Sequence, residues 1–234
     1  MNLMTLAALC VMSASGGKGV PAGTDCTAVE HTYQIKLVAV TALVTGPAQR
    51  DAIARVTYAE AGNQGDTGLA GVVYTILNRL MDGTFGNDLN AVLDAPHQFE
   101  PVTKAGGWQR LPARSSVEQA HVDTILNLAL DGRLPDPTNG ARYFQNPAVV
   151  AERAQAGTVS SGLVNFGGQR PVAVIRDHAF YESSGGNGTP GSRHYTATLP
   201  TLFVPVQTAS GAPGAASADP QSSQPSSLFV PLSR

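Results

Sequence analysis

The sequence has little charge of either sign and no surplus of positive charge. Only 14% of its 234 residues are charged, well below the roughly 25% of an average soluble domain. Lys and Arg number 15 and Asp and Glu number 17, so the formal net charge is -2. A general nucleic-acid binder needs a basic surface, because contacts to phosphates supply most of its affinity. The composition therefore argues against a nucleic-acid partner.

Cysteine is almost absent as well. The two cysteines, Cys10 and Cys26, are too few for a disulfide-rich scaffold or for a four-thiolate zinc site. The sequence leaves open whether they pair, and they are compatible with either redox compartment. No His-Glu-x-x-His motif occurs and the 5 histidines are scattered. No metal site is predicted, and no cofactor is expected.

Long hydrophobic runs are missing too. The apolar stretches at residues 3–12 and 35–44 are shorter than the about 20 residues that a membrane-spanning helix needs. No membrane span is therefore predicted. The first stretch also lacks the basic residues that precede the core of a secretory signal, since the first Lys or Arg is Lys18. We expect a buried local helix or strand there rather than a cleaved signal peptide.

Composition divides the chain into three parts. Residues 1–46 are small and apolar without a clear period, and no role is assigned to them. Residues 47–182 carry nearly all of the patterned segments and are predicted to form the folded domain. Residues 183–234 are rich in Ser, Pro, Gly and Ala, a composition that cannot bury a core. They are predicted to form a flexible linker and tail.

A short apolar peptide occurs twice in this tail. Leu-Phe-Val-Pro begins at Leu202 and ends at Pro205, and it recurs from Leu228 to Pro231. An extended strand can add to the edge of a sheet and anchor through its apolar side chains. Two copies on a flexible tail raise the local concentration of such a peptide. The duplication predicts docking to a protein, with a chance repeat in a biased segment as the alternative.

Two amphipathic helices are predicted at the start of the central part. The first covers about residues 48–61 and follows Pro47, a residue suited to the first turn of a helix. The second covers about residues 67–81 and has the most complete apolar stripe of the chain. Asp66 is its candidate N-cap.

A third helix and a strand complete the predicted elements. The helix covers about residues 116–130 and opens with the capping-box pattern Ser115-x-x-Glu118. The strand is predicted at residues 172–175, where β-favouring residues follow a proline. These elements indicate an α+β domain that is mainly helical.

Glu60 is the residue on which the predicted chemistry depends. Its spacing from Ile53 and Val56 places the carboxylate on the same helix face as two core residues. Burial and the negative end of the helix dipole both disfavour the charged form, so we expect a raised pKa. A carboxylic acid still protonated near neutral pH can protonate the leaving oxygen of a glycosidic bond. The alternative is a solvated glutamate, or one paired with Arg79.

Five short stretches match one family in order. They are Tyr-Ala-Glu-Ala-Gly at 58–62, Gly-Val-Val-Tyr-Thr-Ile-Leu-Asn-Arg at 71–79, His-Gln-Phe at 97–99, Pro-Thr-Asn-Gly-Ala-Arg-Tyr-Phe-Gln-Asn-Pro at 137–147 and His-Ala-Phe-Tyr at 178–181. Through them the sequence resembles the cell wall hydrolase family typified by spore-cortex-lytic enzymes, over about residues 50–182. It departs from the family at residues 61–64, Ala-Gly-Asn-Gln, where a more charged stretch is usual.

The resemblance implies a lysozyme-like catalytic domain that acts on the glycan strands of peptidoglycan. It implies that Glu60 is the acid and base that cuts the β-1,4 bond between N-acetylmuramic acid and N-acetylglucosamine, often as a lytic transglycosylase. Glu60 would then protonate the leaving oxygen and take the proton of the muramyl 6-hydroxyl, which leaves a 1,6-anhydro end. Attack by water would give a reducing sugar, and the sequence does not choose between the two products.

A second carboxylate in a comparable setting is missing from the sequence. Retaining and inverting glycosidases normally use two placed carboxyl groups. Asp66 is predicted to cap a helix. The remaining acids of the region lie in connections rich in Gly, Asn and Pro: Asp82, Asp88, Asp94 and Glu100. The mechanism with one acid therefore fits the sequence.

Four residues are predicted to bind the substrate. Gln98 and Asn146 carry amides that can donate hydrogen bonds to sugar groups and accept them. Tyr143 and Tyr181 can stack on the faces of sugar rings. Plain packing or a structural role is the alternative for Gln98, Tyr143 and Tyr181.

Two other functions stay open. A cysteine endopeptidase of the peptide stems would use Cys26 as nucleophile, because Asp25-Cys26-Thr27 is similar to the start of NlpC-type enzymes. A wall-binding or structural module, such as a phage tail component, would keep the fold without turnover. The substrate places the protein at the cell wall, in the periplasm or outside the cell. Without a convincing signal peptide, the duplicated peptide favours carriage on a phage or phage-like tail.

Overall fold

The computed structural model describes residues 3–14 and 19–183. The duplicated Leu-Phe-Val-Pro peptide and nearly all of the predicted tail lie outside the described residues. The helices are α1 (Leu3–Ala14), α2 (Cys26–Val44), α3 (Pro47–Ala61), α4 (Gly65–Asp82), α5 (Leu89–Leu93), α6 (Glu100–Ala105), α7 (Ser116–Leu130), α8 (Pro147–Gln155) and α9 (Asn165–Gly168). The strands are β1 (Tyr143–Gln145), β2 (Ala173–Ile175) and β3 (His178–Tyr181). The fold is α+β and mainly helical, which confirms the predicted class.

The N-terminal part is helical although its sequence has no clear period. α1 and α2 pack on each other and are joined by a disulfide between Cys10 and Cys26, whose Cα atoms are 5.3 Å apart. The carboxylate of Asp25 caps the start of α2. Lys36 on α2 donates a hydrogen bond of 3.0 Å to the carbonyl oxygen of Met81, near the end of α4. Residues 3–14 form a helix, one of the two elements expected there, and α2 is an element that the sequence did not predict.

Neither N-terminal helix meets the requirements of a membrane span. Within residues 3–14 and 19–183, no helix combines the length and the hydropathy that crossing a bilayer demands. The apolar stretch at residues 35–44 contributes Val40 and Val44 to the core.

The central helix of the fold is α4. Every residue from Gly68 to Met81 is buried, and α2, α3, α7 and the sheet all contact this helix. It begins at Gly65, which has a positive φ of 66°, and its N-cap is Gln64. The prediction of Asp66 as N-cap is therefore wrong. Asp66 lies inside the first turn, where its Oδ1 is 3.2 Å from Nε2 of His121 on α7.

Three other predicted elements are confirmed, and local signals set their ends. Pro47 lies in the first turn of α3. α7 carries both hydrogen bonds of the capping box: Glu118 N–H donates to Oγ of Ser115 over 3.2 Å, and Ser115 N–H donates to Oε2 of Glu118 over 2.8 Å. β2 forms within the range of the predicted strand. The sequence therefore predicted these three elements correctly, because the proline or the capping box that marks the start of each one is next to it in the chain.

The sheet is antiparallel with strand order β1–β3–β2, and it packs against α4. Tyr143 of β1 pairs with Tyr181 of β3. The approach to α4 is closest at Gly71, where a Cβ atom would lie 2.8 Å from Cζ of Phe180 and 3.2 Å from Cδ1 of Ile175. Only glycine at this position lets the sheet lie so near the central helix.

Gly71→Ala should lower the free energy of unfolding by roughly 1–3 kcal/mol, because an added methyl group overpacks the contact with Phe180. Denaturant unfolding followed by circular dichroism measures the change. Gly162→Ala is the matched control, since a Cβ there meets nothing closer than 3.5 Å. The control should change stability by less than about 0.5 kcal/mol. Equal stabilities of the two variants would contradict the close packing at Gly71.

Candidate active site

Glu60 lies in the last turn of α3, one residue before the helix ends at Ala61. Ile53 and Val56 on the same face are buried in the core, and Glu60 itself is half-buried. Its Oε1 atom is buried and has no hydrogen-bond partner among the described residues. The helical spacing therefore placed this carboxyl group as predicted, in a position where its charge is poorly solvated.

Burial raises the pKa of Glu60 to about 7. The backbone N–H of Glu100 and the guanidinium of Arg79 lower this pKa, and the carboxylate of Glu100 raises it further. The loss of solvation is the largest of these effects, because a desolvated carboxylate loses the water that stabilises its charge. Glu60 is thus protonated in a large fraction of the molecules near neutral pH.

A second charged side chain, Arg79, is buried within electrostatic reach of Glu60. Only 1% of Arg79 is exposed, and burial lowers its pKa to about 10. Its Nε donates to the carbonyl oxygen of Arg142 over 2.7 Å, and its Nη2 donates to Oε1 of Gln98 over 3.1 Å. Nη1 is buried and meets no hydrogen-bond partner in the part of the chain that the structure describes. Within the described part of the chain no ion pair joins Arg79 to a carboxylate, so the pair with Glu60 is not formed.

Three aromatic rings surround this guanidinium. Its Cζ lies 4.6 Å from the ring centroid of Phe99, 4.7 Å from that of Phe85 and 5.9 Å from that of Tyr143. The faces of aromatic rings stabilise a nearby cation, most strongly where water is excluded. The structure therefore brings two of the predicted binding residues, Gln98 and Tyr143, into contact with Arg79.

Arg79 was not among the site residues predicted from the sequence. Its side chain was expected only as an alternative ion-pair partner for the Glu60 carboxylate. One signal was available: Arg79 is the only basic residue in α4, among apolar residues that are buried all round the helix. A charge in such a helix is rarely buried without specific partners.

The other two predicted binding residues are engaged elsewhere. Oδ1 of Asn146 accepts hydrogen bonds from the backbone N–H groups of Ala148 and Val149, so this side chain caps α8. Tyr181 is 1% exposed, and its hydroxyl donates to Oδ1 of Asn165 over 2.8 Å. Their roles in binding sugar stay predictions, and both side chains have structural roles.

The loop before β1 is ordered by Asp136, another residue that the sequence analysis missed. Its carboxylate accepts hydrogen bonds from the backbone N–H groups of Thr138 (2.8 Å) and Gly140 (2.7 Å) and from the amide of Asn78 on α4 (3.1 Å). Burial raises the pKa of Asp136, and these hydrogen bonds oppose that rise. The network fixes the start of β1, and with it Tyr143, relative to the central helix.

The remaining chemistries offered by the sequence have less support. Cys10 and Cys26 are the only cysteines of the chain and are bonded to each other. The thiol that a cysteine endopeptidase needs is therefore not free, and the hypothesis that Cys26 is a nucleophile is wrong for this structure. Among the residues that the structure describes, no group of three or more His, Cys, Asp and Glu side chains is arranged to hold a metal ion.

Glu60→Gln should stabilise the protein at high pH and leave it almost unchanged at low pH. The carboxyl titrates near 7 in the folded protein and near 4.5 when unperturbed, so the folded state binds its proton more tightly. Stability from this group is complete below the unfolded pKa and is lost as the pH rises through the folded pKa. At about pH 8 the free energy of unfolding of the variant should exceed that of the wild type by roughly 3 kcal/mol at most.

Denaturant unfolding at about pH 4 and about pH 8 measures this difference. Glu30→Gln, at an exposed position of α2, is the matched control. Its effect should be equal at the two pH values. An equal effect of Glu60→Gln at both would show that the carboxyl is not desolvated.

One comparison with known proteins identifies the family. The family model described as Cell Wall Hydrolase matches residues 63–181, just over half of the chain. The match includes Arg79, Gln98 and Tyr143 and begins three residues after Glu60. No curated protein and no solved structure matches the chain. The chain belongs to the cell wall hydrolase family, whose members are enzymes that act on peptidoglycan.

Proposed function

We propose that the protein is a glycosidase that cuts the β-1,4 bond between N-acetylmuramic acid and N-acetylglucosamine, with Glu60 as its acid. The observation that carries this proposal is the carboxyl of Glu60, which has a pKa of about 7 and a buried oxygen that no described residue hydrogen-bonds. An acid with a pKa near the working pH is both protonated and able to give its proton away. The leaving glycosidic oxygen needs such a proton as its bond to carbon breaks.

The surroundings of Glu60 favour a mechanism with a single carboxyl group. Glu100 is the carboxylate that influences the pKa of Glu60. It forms ion pairs with Lys104 (2.7 Å) and Arg153 (2.9 Å), which lower its own pKa. A carboxylate paired with two cations is a weak nucleophile and a weak base. Glu100 is therefore poorly suited to act as the second carboxylate of a glycosidase that uses two.

The reaction is accordingly that of a lytic transglycosylase. Glu60 gives its proton to the leaving oxygen, and the bond between that oxygen and the anomeric carbon of the muramyl residue breaks. The Glu60 carboxylate then takes the proton of the muramyl 6-hydroxyl, whose oxygen bonds to the same carbon. A 1,6-anhydro end forms, no water is consumed, and Glu60 regains its proton.

Arg79 serves this cycle through its charge. When Glu60 has lost its proton, the carboxylate lies within reach of a buried cation that is not paired with another carboxylate. The attraction limits the cost of the anion and keeps the pKa close to neutrality. Oε1 of Gln98 accepts from Arg79, so the N–H donors of Gln98 stay available for the substrate. The half-buried ring of Tyr143 offers a stacking surface beside them.

We further propose that the protein is carried on a phage or phage-like tail. The support is the duplicated peptide that begins at Leu202 and at Leu228, in a segment whose composition suits a flexible tether. A protein that acts on the cell wall must reach it, and docking on a larger assembly provides a route.

Glu60→Gln should reduce the release of soluble muropeptides from purified sacculi by at least about a hundredfold, because the amide cannot donate a titrating proton. Glu30→Gln is the matched control and should keep the activity of the wild type. Unchanged release by Glu60→Gln would show that another group is the acid. No release by the wild type would favour a wall-binding module without turnover.

Mass spectrometry of the wild-type digest separates the two products. Anhydro ends are lighter than reducing ends by one water, and we expect them to predominate. Reducing ends instead would show that water attacks and that the enzyme is a hydrolase in the strict sense.

Deletion of residues 200–234 should abolish incorporation into the tail assembly and spare activity on sacculi. Both copies of the docking peptide are removed, whereas the residues around Glu60 are kept. Immunoblotting of purified particles measures incorporation. Particles that still carry the shortened protein would rule out docking through the two peptides.

A further inference from the structure

An open groove of about 400 Å³ lies along the hairpin formed by β2 and β3. Its polar residues are Asn146, Asn165, Arg176 and Asp177, and the rest of its wall is made of proline, valine and alanine residues. A concave surface that is mostly apolar and has a few converging polar groups is typical of a ligand site. None of the residues that serve the proposed reaction lines this groove: Glu60, Arg79, Gln98 and Tyr143.

The groove is attached to the turn that follows α3, the helix that carries Glu60. Nε2 of Gln64 donates to Oδ2 of Asp177 over 3.1 Å, and the backbone N–H of Asp177 donates to Oε1 of Gln64 over 3.3 Å. Gln64 is buried and follows Glu60 by four residues. The tip of the hairpin is therefore fixed to the chain that leaves the proposed acid.

The two asparagines present hydrogen-bond donors to the groove. Oδ1 of Asn146 is occupied by the backbone N–H groups at the start of α8. Oδ1 of Asn165 is occupied by the hydroxyl of Tyr181. Because each amide oxygen already has a partner, the NH2 group is what remains for a ligand. A ligand that accepts hydrogen bonds fits this arrangement.

Arg176 adds a positive charge at the exposed tip of the hairpin, next to the carboxylate of Asp177. Its guanidinium makes no hydrogen bond and no ion pair with the described residues. It lies over Gly65, where a Cβ atom would be only 3.1 Å from Nη2, so the glycine leaves room for it. The backbone of Arg176 has a φ of 50°, in the left-handed region that side chains with a Cβ disfavour. The tight turn accounts for this value, because Arg176 and Asp177 form the two-residue loop between β2 and β3 and such loops need a positive φ at their first residue.

We propose that this groove binds a carboxylate of the peptide stem of peptidoglycan, with Arg176 as the charged contact. An arginine and two amide donors match the planar, acceptor-only carboxylate. The small apolar wall suits the methyl side chains of alanine residues in such stems. The inference rests on the proposed function, because the same polymer carries the glycosidic bond and the stem. It makes the enzyme selective for glycan strands that still bear peptides.

Binding measured in the Glu60→Gln background tests the proposal without consuming the probe. The probes are a soluble disaccharide tripeptide with free carboxyl groups and the same molecule with those groups amidated. Calorimetry should show that the free acid binds about tenfold more tightly, as expected for one hydrogen-bonded charge pair. Arg176→Gln should abolish this preference, and Arg176→Lys should keep part of it.

Arg133→Gln is the matched control, since Arg133 is exposed in the turn after α7 and does not line the groove. It should keep the full preference, and circular dichroism confirms that each variant is folded. Equal binding of the two probes, or an equal loss for both in Arg176→Gln, would overturn the proposal. Displacement by inorganic phosphate with the same affinity would overturn the assignment to stems and leave a general anion site.

The outcome is separable from that of the glycosidase proposal. Stem-dependent binding through Arg176 in a protein that releases nothing from sacculi would support this inference and refute the glycosidase. Turnover that depends on Glu60, with no preference between the two probes, would support the glycosidase proposal and refute the binding of stem carboxylates.

Discussion

The burial of the Arg79 guanidinium is the constraint on which the rest of the site depends. A buried charge without an ion pair is costly, and the cost is limited only where polar contacts and aromatic faces replace water. Here the carbonyl of Arg142, the amide of Gln98 and three rings supply them. These partners come from three separate segments, at residues 85, 97–99 and 142–143, and Arg142 lies 63 positions from Arg79. The requirement to stabilise one cation therefore draws these segments together around Arg79, whose charge lowers the pKa of Glu60.

The same lack of water sets the chemistry of Glu60. A glutamate at the end of an exposed helix is ionised at neutral pH, because water stabilises its charge. In the folded chain burial outweighs the attraction of Arg79, so the carboxyl keeps its proton up to about pH 7. The two groups are balanced: Arg79 is near enough to limit the pKa and too far away to form an ion pair. That balance suits a group that must both give and take a proton.

The elements around the site hold the sheet, the loop before β1 and the N-terminal helices in place relative to α4. Gly71 lets the sheet approach the central helix, and the network of Asp136 and Asn78 holds the loop that leads into β1. The disulfide between Cys10 and Cys26 joins the two N-terminal helices, and α2 in turn contacts α4. The family match covers the sheet and the central helix but begins after Glu60. Glu60, the proposed acid, lies outside the matched range, but the helix that carries it packs against α4, which lies inside that range.

The sequence by itself determined α3, α7 and β2, the position of Glu60 on an apolar helix face and the direction of its pKa, because each depends on residues that are close neighbours along the chain. It did not determine α2, whose apolar residues have no helical period, or the start of α4, where Gly65 and Gln64 replaced the expected cap at Asp66. The surroundings of Arg79 and the groove at Arg176 were decided only by tertiary structure. Their contacts join residues up to 113 positions apart, such as Gln64 and Asp177, and no local pattern encodes which distant segments will meet.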